Sequence, residues 1–536
     1  MSAWDVWCGA VEKLRPAFSR RRTFLWFLAA TAAFAIREDL NGVTSFVRVL
    51  ELDPEFYHSL LRMFHSSAVD VAMLANHWTH AAISLLGENL LTVRGMIVFA
   101  TDGIKVAKSG RKMPAVKTIH QESDSNTKPE YITGHSCLSV SLMAMRNGEA
   151  VAVPVGTEIA DGVKFNNNDR RTVFDRTLSF FDRLVVERPF PVLADAYYGC
   201  WKMVRGCLNR GAHLLTRVKS NAVAYLQPVA VPGRRGRKPT YGKKVRLRDT
   251  FKERDGWAES EVELYGERCH ARYKTKDIVW RPAGRLVRFV FVVLNGTAKC
   301  MFMSTDTRLE ALDIVHLYSL RFKIELGFKV AKHVTGGVLY HFWMMAMEKL
   351  GRNPTTQHLH HKGEGYRNAV RRKLRAYHCF LQAGAIAQGL MTAIGILVPG
   401  YCWSKYSSWM RTMNVSRTPS EWVVQHVLRK TFAELLADAS TSPNWVKFIR
   451  ERMDLKRYRP AARRNRRQNP SKTYAKRTKR LTRTRQAKNS MGSRRKARTH
   501  HCQATCNSAT PASSPSQKRM LTTAAHPSNL PDFGGK

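Results

Sequence analysis

Residues 318–332 read YSLRFKIELGFKVAK, and the spacing inside this stretch organises the rest of the chain. Tyr318, Arg321, Glu325 and Lys332 stand at −7, −4, 0 and +7 about the glutamate, so at about 3.6 residues per turn all four fall on one stripe of a helix. One face thus presents a carboxylate between two cations and a phenol. The surrounding pattern predicts a single long helix from about Arg308 to His333. A solvated helix face with an i,i+4 Arg–Glu pair has the same appearance, so the meaning of the stripe depends on what the chain brings to it.

Upstream, the period changes from helical to strand-like at Met96. MIVFATDGIKVA (96–107), YITGHSCLSVSLMAM (131–145) and AVAVPVGTEI (150–159) are rich in branched apolar residues and punctuated by glycine and polar turns. A helical stretch from Arg170 to Val186 carries Phe174, Leu178, Phe181 and Leu184 on one face. PFPVLADAYYG (189–199) is a short apolar strand ending in acid, followed by a helix to Asn209 and a strand HLLTRVK (213–219). Three strands, helix, strand, helix, strand is the order of an α/β ribonuclease-H-like core, a mixed sheet covered by helices. Asp102 sits where MIVFAT runs out and Asp195 where PFPVLA runs out, and residues just past strand ends line the crevice where an open sheet binds ligands. Either aspartate alone is equally readable as the cap of a strand-to-turn transition.

Three carboxylates brought together repel one another unless a divalent cation holds them, and hard oxygen donors suit Mg²⁺ or Mn²⁺. Two such ions can activate an attacking hydroxyl and stabilise the leaving oxygen of an in-line phosphoryl displacement. Asp102, Asp195 and Glu325 are therefore the expected catalytic residues and metal ligands. Arg321 and Lys332 would grip phosphates, while Tyr318 donates a hydrogen bond or stacks.

With TDG around Asp102 and LADAYYG around Asp195, the Tyr-x2-Arg-x3-Glu-x6-Lys signature makes the chain resemble the DDE transposases of bacterial insertion sequences, over residues 1 to about 455. The intervals of 93 residues from Asp102 to Asp195 and 130 from Asp195 to Glu325 agree with the subgroup that carries a β-rich insertion before the glutamate. Residues 228–304, with LVRFVFVVLNG (286–296) and CMFMSTD (300–306), would be that insertion. The resemblance implies binding of terminal inverted repeats in double-stranded DNA, nicking at the element ends, and joining of the freed 3′-hydroxyls to target DNA. It also implies Mg²⁺ at the three acids, two ions with Mn²⁺ as substitute, contacts from Tyr318, Arg321 and Lys332 to the DNA end, and a homodimer that synapses two ends. Two rivals remain: a ribonuclease-H-fold nuclease without strand transfer, and a decayed relic that holds DNA without cutting it.

Composition points to the same partner. The 536 residues carry 88 Lys+Arg against 41 Asp+Glu, a formal charge of +47, with 44% hydrophobic and 10% aromatic residues. Such a chain folds, which excludes a wholly disordered or collagen-like protein. So large a positive charge repels itself unless phosphate or an anionic surface neutralises it, which ranks nucleic acid first and a membrane surface second. Residues 455–536 hold 22 of the cations and one acid, Asp532, and should be disordered until neutralised. This tail is either non-specific DNA glue or an out-of-frame extension. The ten cysteines form no CxxC pair, and His500, His501, Cys502 and Cys506 lie in that tail without an apolar shell to fix a metal geometry. Scattered single cysteines fit a reducing cytoplasm, and the charge a nucleoid-associated protein.

Two segments imitate membrane signals. Arg20–Arg22 precede an apolar run from Phe24 to Ile36 that looks like a twin-arginine export signal, and Cys379 to Ser404 lacks charge over a length that can span a bilayer. Gln382, Gln388 and Pro399 interrupt the second, and both segments are read as buried helices, with no membrane partner. Thr44–Leu52 and Pro54–His65, split at an Asp53 N-cap, are two short helices that suit either a DNA-reading helix-turn-helix or an ordinary bundle. Thr418-Pro419-Ser420-Glu421 reads as a capping box that starts a helix towards Ala437.

Further basic features carry alternative readings. Lys105, Lys108, Arg111 and Lys112 follow Asp102 in a turn that either tracks the scissile strand or is merely solvated. Arg235-Gly236-Arg237 resembles an AT-hook with two guanidinium groups for a narrow minor groove, or is a flexible basic loop. Trp280 is a candidate to stack on a base displaced at the DNA end, or a sheet-core residue. His135 has the same ambiguity and stays outside the catalytic set. The expected organisation is a helical DNA-binding region (1–95), the first part of the core (96–227), the β-rich insertion (228–304), the last part of the core with its catalytic helix (305–345), a helical C-terminal region (346–454) and the basic tail (455–536).

Overall fold

The branched apolar run Phe99–Ala107 forms β1, the strand around which the sheet is built. The computed structural model describes residues 1–40, 42–121, 129–228, 239–408, 414–437 and 443–454. Arg235, Arg237, the tail and its His/Cys cluster lie outside the described residues. β2 (Lys117–His120), β3 (Tyr131–Arg146) and β4 (Glu149–Ile159) follow β1, with β3 antiparallel to β1, β2 and β4. β5 (Phe190–Ala194) lies parallel to β1 on its other side, and β6 (Ala212–Arg217) lies parallel to β5. The central order is β4-β3-β1-β5-β6. All five residues of β5 are buried, which is why this strand reads as a continuous apolar run. Parallel neighbours need crossovers, and α6 (Val173–Arg183) and α7 (Trp201–Leu208) supply them on the way to β5 and to β6.

Six further strands, the first lying just before residues 228–304 and the rest within them, continue the same sheet. They are β7 (Val223–Tyr225), β8 (Lys244–Arg246), β9 (Ala258–Leu264), β10 (Glu267–Trp280), β11 (Arg285–Leu294) and β12 (Ala298–Ser304). β10, β11 and β12 are successive antiparallel neighbours. β12 then lies antiparallel to β6 through Leu215↔Ser304, Thr216↔Met303 and Arg217↔Phe302. The excursion therefore leaves the end of β6 and returns beside it, giving a twelve-stranded mixed sheet among the described residues.

The helices before and after the sheet share one core. These are α1 (Ala3–Glu12), α2 (Arg21–Ile36), α3 (Thr44–Val49), α4 (Tyr57–His65) and α5 (Val71–Leu86), and, after the sheet, α10 (Glu364–Leu397), α11 (Pro399–Lys405), α12 (Glu421–Ala437) and α13 (Asn444–Arg450). Trp4 packs on Phe432 and Trp445, Trp26 on Phe448, and Phe34 and Phe46 on Phe380. α10 runs through the middle and lies against β4. It is long and apolar enough to cross a membrane, yet 94% of its most apolar window is buried inside the protein. The glutamines that interrupt it are fasteners: Gln382 donates to Val155 O at 2.8 Å and Gln388 to Gly327 O at 3.0 Å. α2 is likewise a buried helix from Phe24 to Ile36 but for a half-buried Leu25. Asp53 caps as expected, accepting from Glu55 N at 3.0 Å. The helix after Thr418-Pro419-Ser420 begins only at Glu421, whose carboxylate accepts from Thr392 on α10.

Candidate active site

Two corrections to the expected elements shape the site. Asp102 is not at a strand end: β1 continues to Ala107, because antiparallel pairing with β3 runs from Phe99↔Leu142 to Ala107↔Gly134. Only the parallel pairing stops early. β1 meets β5 at Phe99↔Val192 and Ala100↔Leu193, and the same register carried two residues on sets Asp102 beside Asp195, where β5 has ended. The two aspartates thus come together where the neighbouring strands part.

The long helix is two helices. α8 (Ala311–Leu320) and α9 (Lys323–His333) are joined by a tight turn at Arg321 and Phe322, where Arg321 N, Ile324 N and Glu325 N bond three residues back to Tyr318 O, Arg321 O and Phe322 O. Bonding of this tighter kind inside a helix commonly marks a functional position. Here it brings the Arg321 guanidinium inwards, 2.8 Å from Asp102 Oδ2 and 2.7 Å from Glu325 Oε1. Ile324, only 1% exposed, anchors α9, and the Gln388 amide holds it from α10 just beyond Glu325.

The electrostatics follow from burial. Burial pushes the Asp102 carboxyl up to about 6; Arg321 opposes this, and the charges of Asp195 and Glu325 add to it. Burial by itself would lower Arg321, but Asp102, Tyr318 and Glu325 outweigh it and hold the guanidinium above its ordinary value. Tyr318 is pushed up to about 12, first by burial, with Arg321 opposing and Asp195 adding. Its ring packs on Phe302 of β12 at 4.8 Å between centroids. Asp195 is fixed by its own loop: its carboxylate accepts from Tyr197 N at 2.8 Å, and its carbonyl accepts from Thr216 on β6 at 2.6 Å.

The structure therefore brings together Asp102, Asp195, Glu325, Arg321 and Tyr318, with half-buried Lys332 on the same helix as Glu325. The other expected contacts fall elsewhere. Lys105 is half-buried and, by the alternation of a strand, faces the side of β1 opposite Asp102. Lys108 is 5% exposed, with its ammonium donating to Val338 O at 2.8 Å and Tyr340 O at 3.0 Å, and the solvated-turn reading fails for it. Trp280 is 5% exposed and packs edge-on to Phe289, as a sheet-core residue does. His135 is buried between Tyr340 Oη at 2.7 Å and Pro114 O at 2.9 Å.

Sequence reasoning missed three neighbours of the site. Tyr198, 2% exposed, has its phenol raised by burial first and by Asp102 and Asp195, with hydrogen bonds to Thr101 and Thr177 opposing. Its signal was the Asp-Ala-Tyr-Tyr run itself. Phe322 and Tyr265 lie on the open side with rings edge-on at 6.3 Å. For Tyr265 the signal was a Tyr-Gly pair between two alternating strands, where a hairpin turn ordinarily takes Asn-Gly.

Among the described residues, no group of three or more His, Cys, Asp or Glu side chains is gathered closely enough to hold a metal ion. Asp102 and Glu325 are each bound to Arg321. The donor chemistry nonetheless fits a hard divalent cation: Asp102 is raised first by burial and then by the neighbouring charges of Asp195 and Glu325, so a further positive charge there would favour its carboxylate form. Arg321 is the cation that opposes the rise here, and its buried Nε has no hydrogen-bond partner.

The arrangement defines an α/β protein with two aspartates side by side where central strands of a mixed sheet part, and a third acid brought to them on a helix. Residues 156–338 match the family model described as the transposase DDE domain, a span that takes in Asp195, Tyr318, Arg321, Glu325 and Lys332 and leaves Asp102 outside. The match covers about a third of the chain and supports a DDE transposase. No curated protein matches. Among solved structures the chain is similar to piggyBac transposase, determined as a synaptic complex with hairpin DNA, at 10% identity over 81% of this chain and 76% of that one, with a TM-score of 0.33. A likeness so distant carries nothing further.

Proposed function

We propose that the protein is an insertion-sequence DNA transposase, cleaving at the element's terminal inverted repeats and joining the 3′-hydroxyls to target DNA. The observation that carries this reading is the shared register of Asp102 and Asp195 on neighbouring parallel strands, with Glu325 tied to Asp102 through Arg321. The order β4-β3-β1-β5-β6, with β3 alone reversed, supports a ribonuclease-H-like core. Mg²⁺ or Mn²⁺ ions held by the three carboxylates would supply Lewis-acid polarisation of the scissile phosphate. The chain's own residues do the positioning. Arg321, two bonds deep in carboxylates, is placed to exchange them for a DNA phosphate, because a guanidinium fork binds either anion in the same geometry. Lys332, on α9 with Glu325, adds a second cation towards the DNA end. The Tyr197 amide and Thr216 hydroxyl keep Asp195 from following any rearrangement of α9.

The same reading takes the N-terminal helical region (1–95) and the basic tail as DNA-binding, a dimer as the synaptic unit and the cytoplasm as the compartment. The test is cleavage of a plasmid carrying the element's own flanking ends, with wild type against Glu325→Gln. Mg²⁺-dependent cuts at the ends that vanish in the variant, with DNA binding retained, support the reading. Well-folded wild type that binds DNA and never cuts leaves the non-catalytic relic, and cuts without capture of 3′-ends by target DNA leave a nuclease.

A further inference from the structure

Hairpin turns in this chain offer an internal control. β3 and β4 are joined by Asn147-Gly148, both at positive φ (49° and 78°), closing the pair Arg146↔Glu149. Asn and Gly are the residues that tolerate this left-handed turn, in which a side chain otherwise crowds the backbone. β9 and β10 are joined by the same two-residue turn, closing Leu264↔Glu267, but its first residue is Tyr265, at φ 58°, before Gly266 at 85°. A bulky aromatic in this conformation is strained, and strain of this kind persists where the position does something.

The tyrosine is not spent on packing, since 52% of it is exposed. Its ring meets Phe322 edge-on, and Phe322, 39% exposed, is the residue in the tight turn next to Arg321. One helical turn on, Leu326 is 37% exposed. The Tyr265 phenol is raised first by burial, with Arg321 and Arg217 opposing and Glu325 adding. The inserted hairpin therefore presents an open aromatic surface at the mouth of the acidic cleft, with Arg321 on one side and the end of β6 on the other. No comparable role is left for Trp280, which is covered.

We infer that Tyr265 is a DNA contact of the reaction site, forming with Phe322 an apolar lip on which the strand entering the carboxylate cleft rests. This rests on the transposase reading for the identity of the strand. The ligand class is a phosphodiester strand, its sugars and bases lying on the two rings and its phosphates facing Arg321 and Arg217; aromatic surfaces flanked by cations hold single strands in this way without reading sequence.

The test turns on the strain. Tyr265→Asn restores the residue the turn prefers, so the variant should melt at or above the wild-type temperature. It should nevertheless bind a duplex carrying the element's end about tenfold more weakly, measured in a Glu325→Gln background so that no cleavage is needed. Tyr265→Phe should keep wild-type affinity, because the ring is retained. Wild-type affinity in Tyr265→Asn overturns the inference, as does a fall in affinity that comes with a matching fall in melting temperature, which would make Tyr265 a structural residue. If wild type never cuts DNA while Tyr265→Asn still weakens binding, the transposase reading fails and the contact stands. If wild type cuts at the ends and Tyr265→Asn changes nothing, the contact fails and the transposase reading stands.

Discussion

Asp102 within β1 and Lys108 just past its end lie six residues apart, and they are met in opposite ways. Both are largely buried, Asp102 with its side chain 15% exposed and Lys108 at 5%. Burial drives both towards neutrality, Asp102 up to about 6 and Lys108 down to about 7. Asp102 faces acidic and basic side chains from other elements: Arg321 in the α8–α9 turn, Asp195 past β5, and Glu325 on α9. Lys108 faces backbone, the carbonyls of Val338 and Tyr340, and the Tyr340 ring 3.7 Å from its ammonium. Side chains can change partners without unfolding anything, whereas carbonyls of a packed segment cannot. A buried charge met by exchangeable charges is built to react, and one met by fixed dipoles is built to hold.

The sharpest way to break this contrast is to remove each charge. Asp102→Asn should lower end cleavage by at least about 10³-fold, ~4 kcal/mol of barrier, with the melting temperature nearly unmoved. A variant that cuts normally would put Asp102 among the structural groups. Lys108→Met should do the reverse: two orphaned carbonyls cost about 2 kcal/mol of stability, while DNA affinity stays at the wild-type value in a filter-binding titration. Weaker binding with unchanged melting would return Lys108 to the DNA-contacting set.

His135, on the strand paired with β1 and opposite Val106, extends the comparison to pH. Burial, the first cause, holds its imidazole down to about 3 from an ordinary 6.5. Between those values the unfolded chain binds a proton that the folded one refuses, so the contribution of the neutral ring is complete above pH 6.5 and is lost as pH falls towards 3. Thermal melts of His135→Gln should therefore lose stability less steeply than wild type across that window; parallel curves would show the ring is not held neutral. The smallest effect belongs to Lys105 on the far face of β1. Lys105→Ala should leave DNA affinity, its salt slope and the melting temperature at the wild-type values; a slope lower by about 0.9, the value of one phosphate contact, would return Lys105 to the DNA-contacting set.

Much of the candidate site was legible because its spacing is local. The spacing of Tyr318, Arg321, Glu325 and Lys332 and the continuous apolar run before Asp195 can be read locally, though the helix carrying the first of these is broken at Arg321, and α10's burial follows from its two glutamines. What escaped reading depends on partners distant in sequence. The extent of β1 past Asp102 is set by β3, and the break in the helix at Arg321 accompanies the approach of its guanidinium to Asp102, 219 residues away. Lys105 and Lys108 looked alike because strand parity has meaning only once it is known which face is covered. Tyr265 was passed over because a propensity rule marks a poor turn residue as a weak turn, not as a loaded one.

The return of β12 to the side of β6 gives the insertion a simple genealogy. Two antiparallel neighbours need only a two-residue turn between them, so everything from about Val218 to Met301 is, in topological terms, one hairpin loop grown to the size of a small domain. Lengthening a loop is thermodynamically cheap, about 0.6 kcal/mol for each doubling. Trading one excursion for another at this position should therefore leave the β6–β12 pairing, and the strands that carry Asp102 and Asp195, in place. What such a trade alters is the mouth of the cleft, where Tyr265 now stands.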